Sequence, residues 1–282
     1  MYLRRQLKEL TIKDSFMFGA VMLDEENCRG LLEMVLGIAI SRVEVSQEKS
    51  IVYHPEYTGI RLDVYARDEK NTRYNIEMQV ARKDDLGRRA RYYHSQIDME
   101  LLLRGGDYAE LPDTFVIFIC DFDPFGEGKY CYTFETRCVE DECIRLGEGS
   151  ISIFLSTHGK NEEVTSPELV KFLRFVKADL DGSQREFGDK YISQLQQSIR
   201  CIKENRMMEE RYMLFEEMLR DERAEGKAEG KAEDVLNLLE DSGPVPDDLR
   251  VRIMSEKDME VLKRWLRLSV EVSSPEEFLK KM

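Results

Sequence analysis

The chain has 282 residues, of which 42% are hydrophobic and 35% are charged. This length suits one medium-sized domain with an appendage or two small domains, each with a buried core. The formal net charge of -14 argues against non-specific nucleic-acid binding by the whole surface, so any such contact must be local. No run of about 18 apolar residues occurs, which excludes a transmembrane helix, and the N-terminus lacks the apolar core of a signal peptide. We therefore expect a cytoplasmic protein.

The first half of the chain alternates between helical and extended patterns. Residues 14–36 have a helical apolar stripe, with Asp14 as the expected N-cap and Gly37 as the stop. Three strands are predicted next, at about 42–53, 60–68 and 73–80. Their expected turns lie at Gly59 and at Lys70-Asn71.

A second group of elements follows. We predict a helix at 87–104, a strand buried on both faces at 114–121, and further strands at 129–136 and 151–155. Strands and helices in this order predict an α/β protein with a central sheet covered by helices.

Strand patterns end near residue 183. We therefore predict a mixed domain over 1–182, a long charged helical segment over 183–241, and a small helical module over 242–282 in which Trp265 packs. A long charged helix gains little stability alone, so we expect these C-terminal helices to form a homo-oligomer. The repeat Ala-Glu-Gly-Lys within 223–233 suits either a solvated, conditionally ordered helix or a close helix–helix contact through its glycines.

Three polar side chains lie on the two strands predicted at 60–68 and 73–80. Alternation places Asp63 opposite the apolar face of its strand, and it places Glu77 and Gln79 opposite the apolar face of the next. Pairing the strands would bring the two carboxylates together, where like charges repel unless a cation lies between them. Oxygen ligands of this kind suit Mg²⁺.

A basic stretch follows directly. Residues 82–91 contain five basic and two acidic residues. Arginines at a helix N-terminus oppose the helix dipole, so another role is needed for them. We expect a contact with nucleic-acid phosphate, although an exposed helix start is the simpler interpretation. The candidate residues are Lys83, Arg88, Arg89 and Arg91.

Several stretches of sequence, in this order, resemble one family. The order helix, three strands, helix, strand, with Asp63 followed by Glu77-Met-Gln79, resembles the PD-(D/E)XK nuclease superfamily. Within it, residues from about 10 to 180 resemble the bacterial recombination-promoting nuclease and transposase family. The matching words are Asp14-Ser-Phe-Met-Phe-Gly-Ala-Val-Met22, Leu32-Glu-Met-Val-Leu-Gly37, Arg61-Leu-Asp-Val-Tyr65, Ile76-Glu-Met-Gln79, Arg91-Tyr-Tyr93, Val116-Ile-Phe-Ile-Cys-Asp-Phe-Asp-Pro-Phe125 and Tyr132-Thr-Phe-Glu135.

The resemblance implies a restriction-endonuclease-like α/β core with a mixed central sheet, and a helical C-terminal extension. It implies a Mg²⁺-dependent DNA endonuclease, with Mn²⁺ as a second possible ion, linked to recombination or mobile elements. Asp63 and Glu77 would bind the metal. A third acid comes from the first helix in many members, and Glu33 is preferred here over Glu26.

Gln79 departs from the superfamily pattern, which has lysine at that position. Glutamine can orient a water or a phosphate oxygen, but it carries no positive charge. Either the metal does this work alone, or a nearby cation such as Lys83 assists. The departure also keeps open a weak or inactive nuclease fold that acts as a DNA-binding or assembly module.

Overall fold

The computed structural model describes residues 5–51, 60–102 and 105–282. The strands are β1 Val43–Ile51, β2 Ile60–Asp68, β3 Arg73–Gln79, β4 Thr114–Cys120, β5 Cys131–Phe134 and β6 Ser150–Ser156. The α-helices are α1 Ser15–Met22, α2 Glu25–Leu36, α3 Leu86–Leu101, α4 Pro167–Lys177, α5 Lys190–Glu204, α6 Arg206–Glu240, α7 Asp247–Ser255, α8 Met259–Glu271 and α9 Pro275–Lys281. Among these described helices, none combines the length and apolar character needed to cross a bilayer.

The strands form one mixed sheet in the order β1-β2-β3-β4-β6-β5. β1, β2 and β3 pair antiparallel, β3, β4 and β6 pair parallel, and β5 pairs antiparallel with β6. Every residue of β3 is buried, and β4 is nearly so, because both faces of these central strands are covered. The sheet with its helices confirms the predicted α/β class.

Helix α3 covers the face of the sheet that carries Asp63 and Glu77. Its buried residues Leu86, Ala90, Tyr93 and Ile97 belong to the same apolar cluster as side chains of β2, β4, β5 and β6. The strand residues of this cluster are Tyr65, Val116, Phe118, Cys120, Tyr132 and Phe154. The polar residues of β3 therefore lie beneath a helix and between apolar neighbours.

The prediction of a single helix at 14–36 is wrong, because the chain forms two helices there. α1 ends at Met22, and α2 begins at Glu25 after Asp24. The Asp24 side chain accepts a hydrogen bond from the backbone N–H of Asn27 at 3.0 Å, which caps the new helix. The predicted stop is confirmed, since Gly37 adopts the left-handed conformation with φ 66°.

The turn predicted at Lys70-Asn71 joins β2 to β3. Asn71 has a positive φ of 69°. The Asp68 side chain accepts hydrogen bonds from the backbone N–H groups of Lys70 and Thr72, both at 2.9 Å, and from the Tyr74 hydroxyl at 2.7 Å. The turn predicted at Gly59, and the last two residues of the helix predicted at 87–104, lie outside the described residues.

The described chain divides into two compact units, Met1–Glu209 and Glu210–Met282. This division differs from the boundaries that we predicted near residues 183 and 242. Residues 183–209 belong to the first unit because α5 packs on α1 and α2. The Tyr191 hydroxyl donates to the backbone carbonyl of Asn27 at 2.6 Å, and the Gln194 side chain donates to the Asn27 amide oxygen at 2.8 Å. Helix α4 has no counterpart among the predicted elements.

The second unit has a core of its own, formed by the C-terminal part of α6 with α7, α8 and α9. Trp265 is 4% exposed within it and contacts Phe278 edge-on, as the predicted packing role requires. The Ala-Glu-Gly-Lys repeat is helical, and Ala228 and Ala232 are its buried residues. A Cβ added at Gly226 or Gly230 would meet nothing within 4 Å. The glycines therefore make no close helix–helix contact within the described residues.

Candidate active site

Asp63 and Glu77 face each other across the β2–β3 pair. The register places Val64 opposite Ile76 and so places Asp63 opposite Glu77. The backbone N–H of Asp63 donates to Glu77 Oε1 at 3.4 Å, and the backbone N–H of Met78 donates to Asp63 Oδ2 at 3.2 Å. Each strand thus orients the carboxylate of the other.

The Glu77 carboxyl is nearly inaccessible, with 4% of the residue exposed. Burial, with the neighbouring charge of Asp63 adding to it, raises the pKa of Glu77 to about 8. The Asn75 amide donates to Glu77 Oε1 at 3.1 Å and opposes this shift. A positive charge close to this carboxyl would favour its ionised form.

Gln79 is the third residue of the predicted motif, and its amide is already engaged. Its Nε2 donates to the Ala81 carbonyl at 2.7 Å, and its Oε1 accepts from Nη1 of Arg89 at 2.9 Å. The predicted role of Gln79 in orienting a water or phosphate stays a prediction. The structure shows Gln79 holding an arginine.

Arg89 reaches into the site from the first turn of α3. Its Nη2 lies 3.8 Å from Glu77 Oε2 and donates a hydrogen bond to the Tyr93 hydroxyl at 2.7 Å. Its guanidinium carbon lies 5.5 Å from the Tyr93 ring centroid and 5.6 Å from that of Phe118. The side chain is 23% exposed.

Two contributors to the site were not predicted from the sequence. Asn75 orients Glu77, and Tyr93 orients Arg89. Burial and the charge of Glu77 raise the pKa of the Tyr93 hydroxyl, which keeps it in its neutral form. Both could have been found from spacing, because Asn75 shares a strand face with Glu77 and Tyr93 lies one helical turn after Arg89.

The other predicted site residues are exposed or make their contacts with residues outside this cluster. Lys83, Arg88 and Arg91 are exposed around the start of α3. The Glu33 carboxylate accepts from Arg29 at 3.0 Å and from the backbone N–H of Ile40 at 2.9 Å. Glu26 binds Arg29 as well. Among the described residues, no third His, Cys, Asp or Glu joins Asp63 and Glu77 closely enough to share a metal ion.

Comparison with known protein families agrees with this arrangement. A family model described as PD-(D/E)XK nuclease family transposase matches residues 16–229. The chain belongs to this family. The match spans the sheet, α3 and most of α6, so the family resemblance and the fold predicted from the sequence are confirmed. Searches of curated proteins and of solved structures returned no significant match.

Nucleases of the PD-(D/E)XK family use divalent metals in general, and the donor set of this member fits such an ion. Two carboxylates from paired strands provide hard oxygen ligands, which Mg²⁺ and Mn²⁺ prefer. The raised pKa of Glu77 arises from burial and from an adjacent like charge, and a divalent cation would offset both effects. Asp63 and Glu77 are therefore the residues that would hold the metal.

Proposed function

We propose that this PD-(D/E)XK family member is a DNA endonuclease that depends on Mg²⁺, with Mn²⁺ able to replace it. The observation that carries the proposal is the pairing of Asp63 with Glu77 across β2 and β3, at the positions of the family motif. When bound, the ion supplies Lewis-acid stabilisation of charge that develops on the phosphodiester.

The residues of the chain prepare the site for that chemistry. The backbone donors of Asp63 and Met78 fix one oxygen of each carboxylate, and Asn75 restrains Glu77 further. The remaining carboxylate oxygens are thereby oriented before substrate arrives, so less ordering is required during the reaction.

The exposed basic residues near the start of α3 supply the proposed DNA contact. Lys83, Arg88 and Arg91 are exposed in the stretch that follows Gln79 along the chain, from the loop after β3 into the first turns of α3. Because the net charge of the chain is -14, DNA contact must be local. Few phosphate contacts predict a shallow dependence of affinity on salt concentration.

Nicking of supercoiled plasmid by the purified chain tests the proposal. We expect the wild type to nick with Mg²⁺ or Mn²⁺ and to stop when EDTA is added. Asp63→Ala and Glu77→Ala should each lose on the order of 100-fold or more in rate, since each removes a metal ligand. Glu163→Ala, at an exposed position, is the matched control and should nick normally. Equal nicking by all variants, or none with either metal, would sink the proposal.

A second candidate function is favoured by Gln79, which stands where the superfamily has lysine. In this alternative the protein binds DNA or assembles with partners but cuts weakly or not at all. Calorimetric titration with Mn²⁺ and gel-shift titration with DNA distinguish the two candidates, since the alternative predicts binding without nicking.

Self-association through the C-terminal helices remains part of the proposal. The support is an exposed apolar set on the N-terminal half of α6, including Met207 and Leu214 at 68% and 66% exposure. Light scattering of the full chain and of a chain ending at residue 209 tests it. The same number of chains per particle in both would contradict self-association through these helices.

A further inference from the structure

We propose that Arg89 is the cationic catalytic residue of this site, and that Gln79 is the residue that positions it. The inference rests on the proposed nuclease function and assigns Arg89 a role different from that of the exposed basic residues. Its guanidinium would contact the phosphate that is cleaved, while Lys83, Arg88 and Arg91 would contact phosphates further along the strand.

The contacts of Arg89 separate it from the neighbouring arginines. It is held at three points, by Gln79 Oε1 at 2.9 Å, by the Tyr93 hydroxyl at 2.7 Å and by Glu77 Oε2 at 3.8 Å. Arg88 and Arg91 are exposed on the same helix. An arginine that only attracts DNA needs no such anchoring, because a flexible surface charge serves equally well.

Gln79 has the connections of a positioning residue. Its amide nitrogen is fixed on the Ala81 carbonyl at 2.7 Å, which turns its oxygen toward Arg89. A lysine at position 79 would instead repel the guanidinium. Glutamine at position 79 and arginine at position 89 are therefore compatible with each other, and together they place a positive charge beside Glu77.

The surroundings strengthen the charge and leave it accessible. The rings of Tyr93 and Phe118 lie on the guanidinium at 5.5 and 5.6 Å, and they exclude water from part of it. A charge in such a partly desolvated place acts more strongly on its neighbours than one in bulk water. The side chain keeps 23% exposure, and the bonds to Gln79 and Tyr93 use two of its five N–H groups. A phosphate oxygen can accept from those that remain.

The chemistry of the arginine side chain limits the role that Arg89 can have in the reaction. Its guanidinium stays protonated, so it can neither accept a proton from water nor donate one to a leaving oxygen. Its contribution is electrostatic, through stabilisation of the negative charge that builds on the phosphate in the transition state. Loss of that contribution lowers kcat more than it raises KM.

The experiment relocates the charge. Arg89→Met removes the charge and keeps the aliphatic length, and the double variant Gln79→Lys with Arg89→Met returns a cation from β3. Arg88→Met is the control on the exposed surface of the same helix. We measure kcat and KM for plasmid nicking, and the Kd for Mn²⁺ by calorimetry at pH 8.5.

We expect Arg89→Met to lower kcat on the order of 100-fold with little change in KM. It should also bind Mn²⁺ tighter, by roughly threefold to tenfold, because a like charge near the ion has been removed. The double variant should recover kcat to within about tenfold of the wild type and return the Kd toward the original value. Arg88→Met should raise KM and leave the Kd unchanged.

Arg89→Lys is a second variant that keeps the charge, in case the methionine variant does not fold by circular dichroism. It should retain the wild-type Kd for Mn²⁺ and roughly a tenth or more of kcat.

Two results would overturn the inference and leave the proposed function intact. The first is a wild-type kcat in Arg89→Met. The second is a rise in KM of Arg89→Met without a change in its Kd for Mn²⁺, which is the behaviour expected of Arg88→Met. Failure of the proposed function looks different, since the wild type would then bind Mn²⁺ without nicking. In that case the catalytic role of Arg89 falls with the proposed function, and tighter Mn²⁺ binding by Arg89→Met shows only that the guanidinium lies beside the bound ion.

Discussion

Asp63 and Glu77 exchange hydrogen bonds across two strands, each accepting a backbone N–H from the strand of the other. The pairing fixes two acidic side chains side by side in a place where one of them has almost no access to water. Ionising both carboxyls there is unfavourable without a cation. The stability of the protein should therefore depend on pH and on divalent metal together.

The pH dependence follows from Glu77. Burial and the charge of Asp63 raise its pKa from 4.5 to about 8. The unfolded chain therefore releases this proton first as the pH rises, and the metal-free protein loses stability between pH 4.5 and about 8. Glu77→Gln stays neutral, so we expect it to exceed the wild type in free energy of unfolding by about 2–5 kcal/mol at pH 8 and by little at pH 4.5. Urea denaturation in EDTA measures this difference.

Divalent metal should reverse that difference. Mg²⁺ at pH 8 should raise the Tm of the wild type, because it binds the folded site, and should raise the Tm of Glu77→Gln much less. Glu163→Gln, at an exposed acid, should follow the wild type throughout. Parallel pH profiles for the wild type and Glu77→Gln would contradict the raised pKa.

The β2–β3 turn should be sensitive to the residue at position 71. Asn71 has φ 69°, a conformation that asparagine and glycine tolerate and that other residues with a Cβ, including alanine, resist. We expect Asn71→Ala to lower the free energy of unfolding by about 1 kcal/mol, and Asn71→Gly to change it by less than about 0.5 kcal/mol. Urea denaturation measures both, with Lys70→Ala as the neighbouring exposed control. Equal losses in the alanine and glycine variants would argue against a conformational cause.

The contact between Gly30 and Tyr191 should test whether α5 belongs to the first unit. A Cβ at Gly30 would lie 2.6 Å from the Tyr191 ring, so Gly30→Ala forces the two helices apart. We expect a loss of about 1–3 kcal/mol in the free energy of unfolding. Tyr191→Leu should reduce this loss when combined with Gly30→Ala, because the smaller side chain leaves room. Additive effects of the two substitutions would show that the residues do not touch.

The glycines of the Ala-Glu-Gly-Lys repeat should limit the stability of α6. Gly226 and Gly230 lie on its exposed face with open space around them, so alanine there adds helix propensity without a clash. We expect Gly226→Ala and Gly230→Ala each to stabilise the second unit by about 0.5–1 kcal/mol, measured as a rise in Tm by calorimetry. Ala232→Gly, on the buried face, is the matched reverse change and should lower the Tm. A loss of stability in the glycine variants would mean that another surface requires the glycines.

Local patterns were sufficient for the elements that alternate or repeat clearly. The β4 run of apolar, β-branched and aromatic residues is a central strand, and Lys70-Asn71 is the turn that brings Asp63 to Glu77. The helix at 14–36 was predicted without its interruption because the apolar stripe continues through it, while the Asp24 cap is a contact of one side chain. The boundary near 183 was predicted from the loss of strand patterns, and such a pattern does not report what α5 packs against.

The sequence by itself determined the family, the α/β class and the strand face that carries Asp63, Glu77 and Gln79, because alternation along a strand is a property of the local backbone. Only the tertiary structure decided where the positive charge of the site comes from. Arg89 lies ten residues after Gln79 in the chain, and no spacing rule connects a strand end to a helix across the turn between them. The packing of α3 on the sheet brings the two side chains to 2.9 Å, and that packing depends on the apolar cluster of the whole domain.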